Sequence, residues 1–172
     1  MAPAVFVGLN EWHNHPLLLY HGTIDLDVPS ILAGVAVERG QPRRDFGRGF
    51  YTTTLERQAW AWARERAARR SGGRTEPAVV RFRVPRDALA RLDTLYFVRG
   101  DPDAADYWAF VEYCRHDRGA HRPNGSWYDI VVGPVTLYWD ERILIAGADQ
   151  ISLHTERAAA LLNTSDREQV FR

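Results

Sequence analysis

Three short segments, widely separated in the sequence, hold residue types that could bind and transform a ligand. The first is Tyr20-His21-Gly22-Thr23, at the end of an apolar run. A glycine at the end of a strand lets a ligand approach the backbone closely, so that its N–H and C=O can bind a planar amide. His21 can donate a hydrogen bond to a sugar hydroxyl. Alone, this segment is more typical of a buried histidine beside an ordinary turn glycine.

The second segment runs from Asp45 to Tyr51 and places Gly47 and Gly49 on either side of Arg48. A flexible cationic loop of this kind suits an anionic ligand such as a pyrophosphate, and Tyr51 can stack on an aromatic ring. The spacing matches neither a GxGxxG dinucleotide motif nor a Walker loop, which needs a lysine. Alone, the segment is more typical of a glycine-rich loop before a strand with a core tyrosine.

The third segment, residues 149–154, begins with the polar pair Asp149-Gln150 and continues as a short apolar strand. A polar side chain at the mouth of a strand can project into a cleft. Because successive side chains of a strand point to opposite faces, Asp149 is expected to point away from the side of Gln150. Alone, the segment indicates only the start of a strand.

Together the three segments resemble the ADP-ribosyltransferase superfamily, and within it the His-Tyr-Glu branch of poly-ADP-ribose polymerases and diphtheria-type toxins. That branch holds nicotinamide between the strand tyrosine and a second aromatic ring eleven positions later, and this position is Trp62 here. A closer resemblance is to the small bacterial family of unknown function DUF3990, to which the same fold is attributed. It covers roughly residues 17–163 and rests on YHG at 20–22, DFGRGFYTT at 45–53, QA and WA at 58–63, YDIVVGP at 128–134 and Q with HTE at 150–156.

The resemblance implies a role for each matching residue. The backbone of Gly22 would hold the nicotinamide carboxamide, with the hydroxyl of Thr23 assisting. His21 would bind a ribose hydroxyl of NAD, and Tyr51 and Trp62 would stack on the nicotinamide ring. The resemblance therefore implies that NAD is the substrate.

Two further positions complete the expected site. Arg48 is expected to meet the pyrophosphate, an inference from its charge and not from the family. Gln150 occupies the position of the family's glutamate, which bonds the ribose 2′-hydroxyl and stabilises the positive charge that develops as the glycosidic bond breaks. A neutral amide stabilises that charge less, so transfer of single ADP-ribose units is expected instead of polymer synthesis. On this basis Gln150→Glu would raise the activity.

The function implied by the resemblance is an NAD-dependent mono-ADP-ribosyltransferase, acting as a bacterial toxin or effector on a protein or nucleic-acid acceptor. His21, Tyr51 and Gln150 would be its catalytic residues. Two alternatives stay open: an NAD glycohydrolase, in which water replaces the acceptor, and a catalytically weak module that binds NAD or a partner. A cognate antitoxin or immunity protein is a further expected partner.

Composition and charge limit the choice of function. The 172 residues carry 22 basic and 22 acidic side chains, so no global field draws the protein to nucleic acid or to anionic lipid. All of the basic residues are arginine, which excludes a Schiff-base or P-loop lysine. A single cysteine excludes an intramolecular disulfide.

The histidines and the cysteine do not match a known metal-binding pattern. Cys114, His116 and His121 lack the spacing of a zinc site, so no metal is expected. Helical spacing places Cys114 on an apolar face with Trp108 and Val111, where a thiol is usually inert.

Short strands mixed with helices, without regular βαβ alternation, predict an α+β fold. Strands are expected at residues 17–21, 50–54, 78–84, 128–132, 151–154 and 169–171, and helices at 29–33, 55–70, 87–92, 101–117 and 155–162. Residues 135–145 are expected to hold one more strand or an irregular segment, and Thr54 is the expected N-cap of the helix that begins at Leu55. The resemblance implies that residues 1–172 form a single ADP-ribosyltransferase-like domain, with two small, mostly antiparallel sheets and flanking helices around an NAD cleft.

The first ten residues lack the basic and apolar regions of a signal peptide, and no apolar run has the ~20 residues that a membrane span needs. A cytoplasmic location without membrane contact is therefore expected, unless an export system delivers the protein into a target cell.

Overall fold

A computed structural model describes residues 14–70, 75–98 and 104–171 of the chain. The strands are β1 (Leu17–Ile24), β2 (Phe50–Thr52), β3 (Pro77–Val84), β4 (Thr94–Tyr96), β5 (Ile130–Gly133), β6 (Thr136–Tyr138), β7 (Ile143–Leu144), β8 (Gln150–Leu153) and β9 (Asp166–Val170). The helices are α1 (Val28–Ala33), α2 (Glu56–Arg69), α3 (Arg86–Leu89), α4 (Ala105–Arg115) and α5 (Glu156–Thr164).

Two small sheets form the framework. The first has the order β1-β3-β9 and is antiparallel throughout. The second has the order β2-β8-β5-β4, in which only the pairing of β4 with β5 is parallel. A bridge between Tyr20 and Thr53 connects the two sheets, and β6 and β7 form a separate hairpin.

The strands have apolar side chains on both faces because helices or the other sheet cover both. In β3, Val80 and Phe82 join Leu153 of the second sheet in the largest core cluster, which α1 and α5 complete. Val79, which points to the opposite face, packs with Ala59 of α2. On the far side of the second sheet, α4 packs against β5 and the loop before β2, where Phe46 is fully buried.

The order of layers is therefore α2, first sheet, shared core, second sheet, α4. The predicted combination of two small, mostly antiparallel sheets with helices is what the structure contains. No helix in the described ranges is both long enough and apolar enough to cross a bilayer.

Most predicted elements are present, with corrections at their ends. The predicted cap of α2 is wrong: its N-cap residue is Leu55, without a side-chain bond, because Thr54 binds Asp149 instead. Strand β4 was not predicted, and the predicted edge strand at 169–171 is instead β9, which begins at Asp166. The helix predicted from residue 101 begins at Ala105 in the described part of the chain, since residues 101–103 lie outside it.

Candidate functional site

A cleft of about 640 Å³ opens beside the bridge between the two sheets. Three of the elements that line it come from distant parts of the sequence: β1, the loop from Gly40 to Gly49 with β2, and the start of β8. Of the seven residues predicted for the site, six line this cleft: His21, Gly22, Thr23, Tyr51, Trp62 and Gln150. The structure thus brings together nearly all of the predicted site.

The edge of β1 presents free backbone groups to the cleft. The backbone N–H and C=O of Tyr20 bond to Thr53, at 2.8 and 2.9 Å, so these two groups point away from β3. In a regular antiparallel ladder the direction of these groups repeats every second residue. Gly22, two positions further along the uninterrupted register with β3, therefore directs its N–H and C=O to the same edge. This edge of β1 forms part of the lining of the cleft.

The need for glycine at position 22 comes from packing. A Cβ atom added to Gly22 would lie 2.1 Å from the carbonyl oxygen of Ala59, in α2. The absence of a side chain at position 22 is therefore required by the packing of β1 on α2. Thr23 is fully buried next to it and donates from Oγ1 to Asp27 at 3.3 Å.

His21 is a neutral acceptor on the wall of the cleft. Its Nδ1 lies 2.7 Å from the carbonyl oxygen of Tyr51, which can only accept, so Nδ1 carries the proton. Burial lowers the pKa of His21 to about 4, and the ring stacks on Phe50 at 4.2 Å. At neutral pH, Nε2 is then an unprotonated acceptor. The prediction that His21 donates to a sugar hydroxyl is corrected: it would accept the hydroxyl's hydrogen.

Two aromatic rings line the cleft in different ways. Tyr51 is fixed at its hydroxyl, which donates to the Gly47 carbonyl at 2.6 Å and accepts from the Phe46 N–H at 3.1 Å. Burial raises the pKa of Tyr51 well above its usual value, with the Asp45 carboxylate adding to the effect. Trp62, on α2, is 44% exposed and is accessible to a planar ligand. One ring is held rigidly and the other lies at the surface.

Gln150 is buried at the inner end of the cleft. Its Nε2 donates to Asp45 Oδ2 and to the carbonyl oxygen of Pro134, both at 2.8 Å. Since these two bonds use both amide hydrogens, Oε1 is the group left to accept from a ligand, and it has no hydrogen-bond partner among the described residues. As predicted, Asp149 points the other way, where it binds Thr53 and Thr54.

Asp45 is the centre of the network around Gln150. Its Oδ1 accepts from Arg115 Nε at 3.0 Å and from Thr136 Oγ1 at 2.6 Å. Its Oδ2 accepts from the Thr136 N–H at 3.0 Å and from Gln150. Asp45 is only 4% exposed, so the cleft contains a buried carboxylate whose ion-pair partner is Arg115.

The predicted pyrophosphate residue lies outside the cleft. Arg48 is exposed and is not among the lining residues, while Arg39 and Arg44 are. The other lining arginines on α2 and α4 are paired with acidic residues. Within the described residues, Arg39 and Arg44 have no acidic partner, and Arg44 donates only to Gln41 at 2.6 Å. The cleft therefore has two arginines whose charge an anionic ligand can use.

Three important cleft residues were missed from the sequence: Asp45, Arg115 and Arg44. Asp45 opens the DFGRGFY motif, but nothing local in the sequence pairs it with position 150. Arg115 stands at the end of a predicted helix and Arg44 in a polar loop, so neither had a distinguishing local pattern.

No cluster of metal-binding side chains occurs among residues 14–70, 75–98 and 104–171. Burial raises the pKa of the Cys114 thiol to about 12, in agreement with the prediction that this thiol is inert.

Residues 17–138 match the family described as "Protein of unknown function (DUF3990)". The match includes the β1 and loop segments but ends before Gln150. No curated protein matches the sequence.

Proposed function

Since the chain belongs to the DUF3990 family of proteins of unknown function, we propose that it is an NAD-dependent mono-ADP-ribosyltransferase, a bacterial toxin or effector whose substrate NAD binds in the cleft. One observation carries this proposal. Six residues that the ADP-ribosyltransferase resemblance selected, spread over positions 21 to 150, line a single cleft of about 640 Å³. A volume of this size lies within the range of small-molecule sites.

The cleft offers complementary groups for the nicotinamide, a ribose hydroxyl and the pyrophosphate of NAD. The free N–H and C=O of Gly22 suit the carboxamide, and the rings of Tyr51 and Trp62 suit the nicotinamide. His21 Nε2 can accept from a ribose hydroxyl. Arg44, with Arg39, replaces Arg48 as the proposed partner of the pyrophosphate, because it lines the cleft without an acidic partner.

The proposed reaction breaks the bond between C1′ of the ribose and the nicotinamide nitrogen. The bonding electrons leave with nicotinamide, and C1′ becomes a cationic oxocarbenium centre. Gln150 Oε1 accepts from the ribose 2′-hydroxyl, and the buried Asp45 carboxylate behind it supplies negative charge close to that centre. A nucleophile of the protein or nucleic-acid acceptor then bonds to C1′ and loses its proton.

Incubation with NAD labelled in the adenylate part tests the proposal. Release of nicotinamide with label on a macromolecule supports transfer, whereas release with free ADP-ribose would identify an NAD glycohydrolase. Binding without release would identify a module that only holds NAD. Absence of both binding and release contradicts the proposal.

Variants of Tyr51 test the place of the nicotinamide. We expect Tyr51→Ala to abolish NAD binding, because the ring that the nicotinamide contacts is lost. Tyr51→Phe is the matched control: it keeps the ring and removes only the hydroxyl that bonds to the Gly47 carbonyl. Unchanged affinity of Tyr51→Ala in a calorimetric titration would refute the stacking role.

A further inference from the structure

The orientation of the Gln150 amide is fixed by its neighbours. Nε2 lies 2.8 Å from a carboxylate oxygen of Asp45 and 2.8 Å from the carbonyl oxygen of Pro134. Both neighbours can only accept, so the NH₂ group must occupy this position and the amide oxygen cannot. The amide oxygen is thereby the group that Gln150 presents to the cleft.

The same contacts explain why position 150 is not a glutamate. A glutamate with the same side-chain position would place an oxygen next to the Asp45 carboxylate and the Pro134 carbonyl. Two carboxylates at this separation cannot both be ionised, so one of them would retain a proton. The negative charge that a glutamate would bring already belongs to Asp45, and the neutral amide is what fits beside it.

We propose that Asp45 is the positioning residue of the site: it holds Gln150 with Oε1 toward the cleft and carries the negative charge that position 150 lacks. Arg115 and Thr136 hold the carboxylate in turn, with donors on both of its oxygens. This inference rests on the proposed function for its consequence in catalysis. Its geometric part, the mutual dependence of residues 45 and 150, can be measured without NAD.

Three variants test the pairing: Gln150→Glu, Asp45→Asn and the double variant. In Gln150→Glu, one carboxyl group of the pair has a raised pKa, so its ionisation becomes unfavourable as the pH rises. Compared with wild type at each pH, we expect the melting temperature of Gln150→Glu to be lower by about 5 °C at pH 8 and to recover at pH 5. In the double variant, which has one carboxyl group and one amide at these two positions, this difference between pH 8 and pH 5 should become much smaller.

A residue with a merely structural role would lower the melting temperature equally at both pH values. That result for Gln150→Glu, or a double variant whose loss is the sum of the two single losses at each pH, would overturn the proposal. If Asp45→Asn alone does not fold, the double variant, in which a carboxyl group and an amide exchange positions, decides the question. Thr155→Ala, remote from the cleft, is the control for a pH-independent loss.

Catalysis gives the second measurement. Nicotinamide release by Asp45→Asn should fall at least about 10-fold in kcat, with KM for NAD within about twofold, because the amide loses its orientation and the site its charge. Gln150→Glu should also lose activity at pH 8, opposite to the gain that the sequence suggested. If wild type releases no nicotinamide, the proposed function fails, while the melting temperatures still decide the pairing.

Discussion

The β5–β8 ladder has a buried aspartate near each end, and the two aspartates have partners of the same types. At the Gly133–Gln150 end, Asp45 binds Thr136, Arg115 and Gln150, which we term the Gln150 cluster.

Just beyond the Ile130–Leu153 end, Asp129 binds Thr155 at 2.5 Å, Arg157 at 3.4 Å and the Asp93 N–H at 3.0 Å. We term Asp129, Thr155 and Arg157 the Asp129 cluster. Both clusters combine a buried aspartate with a threonine and an arginine.

The two clusters differ in the second role of the residue that donates to the aspartate. Thr155 is also the N-cap of α5, where its hydroxyl accepts from the Ala158 N–H, so the Asp129 cluster holds a helix in place. No member of the Asp129 cluster lines the cleft. In the Gln150 cluster, the amide that binds Asp45 keeps an acceptor facing the cleft. Burial and pairing are thus common to both aspartates, and our proposal for Asp45 depends on the unused acceptor of its partner Gln150.

Acid should have the largest effect, because three buried histidines must take up protons, two of them near the Asp129 cluster. His154, whose N–H donates to the Asp129 carbonyl, contacts His121 with 4.5 Å between ring centroids. Burial lowers the pKa of His154 to about 3 and that of His121, like His21, to about 4. In the unfolded chain these histidines have a pKa of about 6.5. As the pH falls, they therefore take up protons in the unfolded chain before they do so in the folded protein. Stability is thus complete above pH 6.5 and is lost as the pH falls toward 4.

The expected size is about 1.4 kcal/mol per pH unit for each histidine, or on the order of 2 kcal/mol each at pH 5. Melting temperatures from pH 7.5 to 5 measure it. His154→Gln should reduce the slope by about one third, since one of three such groups is removed. A melting temperature that stays constant over this range contradicts the prediction.

Substitution in the Gln150 cluster should have the next largest effect, and it should fall on turnover. Gln150→Ala removes the acceptor that faces the cleft, and we expect kcat for nicotinamide release to fall about 100-fold. NAD affinity should change much less, because the contacts of Tyr51 and Gly22 remain. Release and binding are measured on protein whose folded fraction is checked by circular dichroism. Unchanged turnover would show that position 150 is not the catalytic position.

Loss of the Arg44 charge from the lining of the cleft should have a smaller effect than loss of Gln150. Arg44→Ala should raise KM for NAD about 10-fold, or ~1.4 kcal/mol, because a cation without an acidic partner is lost from the lining. Arg48→Ala is the matched control from the same loop, and its KM should stay within about twofold of wild type. Equal effects of the two substitutions would contradict the assignment of Arg44.

The sequence was sufficient for the periodic parts of the molecule. Strand alternation correctly separated Asp149 from Gln150, because that pattern depends only on neighbouring residues. The helix α2 followed from the acidic residue Glu56 in its first turn and the arginines in its last turn. The short strand β4 was missed because its three residues gain their stability from pairing with β5, which has no local signature.

The loop before β2 shows why the rest could not be predicted. A loop has no repeat that tells which arginine faces a cleft, and here positive φ angles at Arg43 and Gly47 change the direction of the chain on either side of Arg44. The bond between Asp45 and Gln150 joins residues 105 positions apart, so it follows only from the completed packing of the loop on β8. The motif indicated where the site would be, but not which of its side chains would be buried there.

The smallest expected effect belongs to the cap in the Asp129 cluster. Thr155→Ala removes the cap of α5 and a hydrogen bond to Asp129, and the free energy of unfolding should fall by about 1 kcal/mol. Turnover at 25 °C should stay unchanged, since Thr155 does not line the cleft. Thr164→Ala, at the other end of the same helix, is the matched control: its hydroxyl bonds only to carbonyls of its own helix, so urea denaturation should show a smaller loss. A fall in kcat for Thr155→Ala without a change in folded fraction would mean that the two ends of the ladder are coupled, and the distinction between a structural and a functional aspartate would fail.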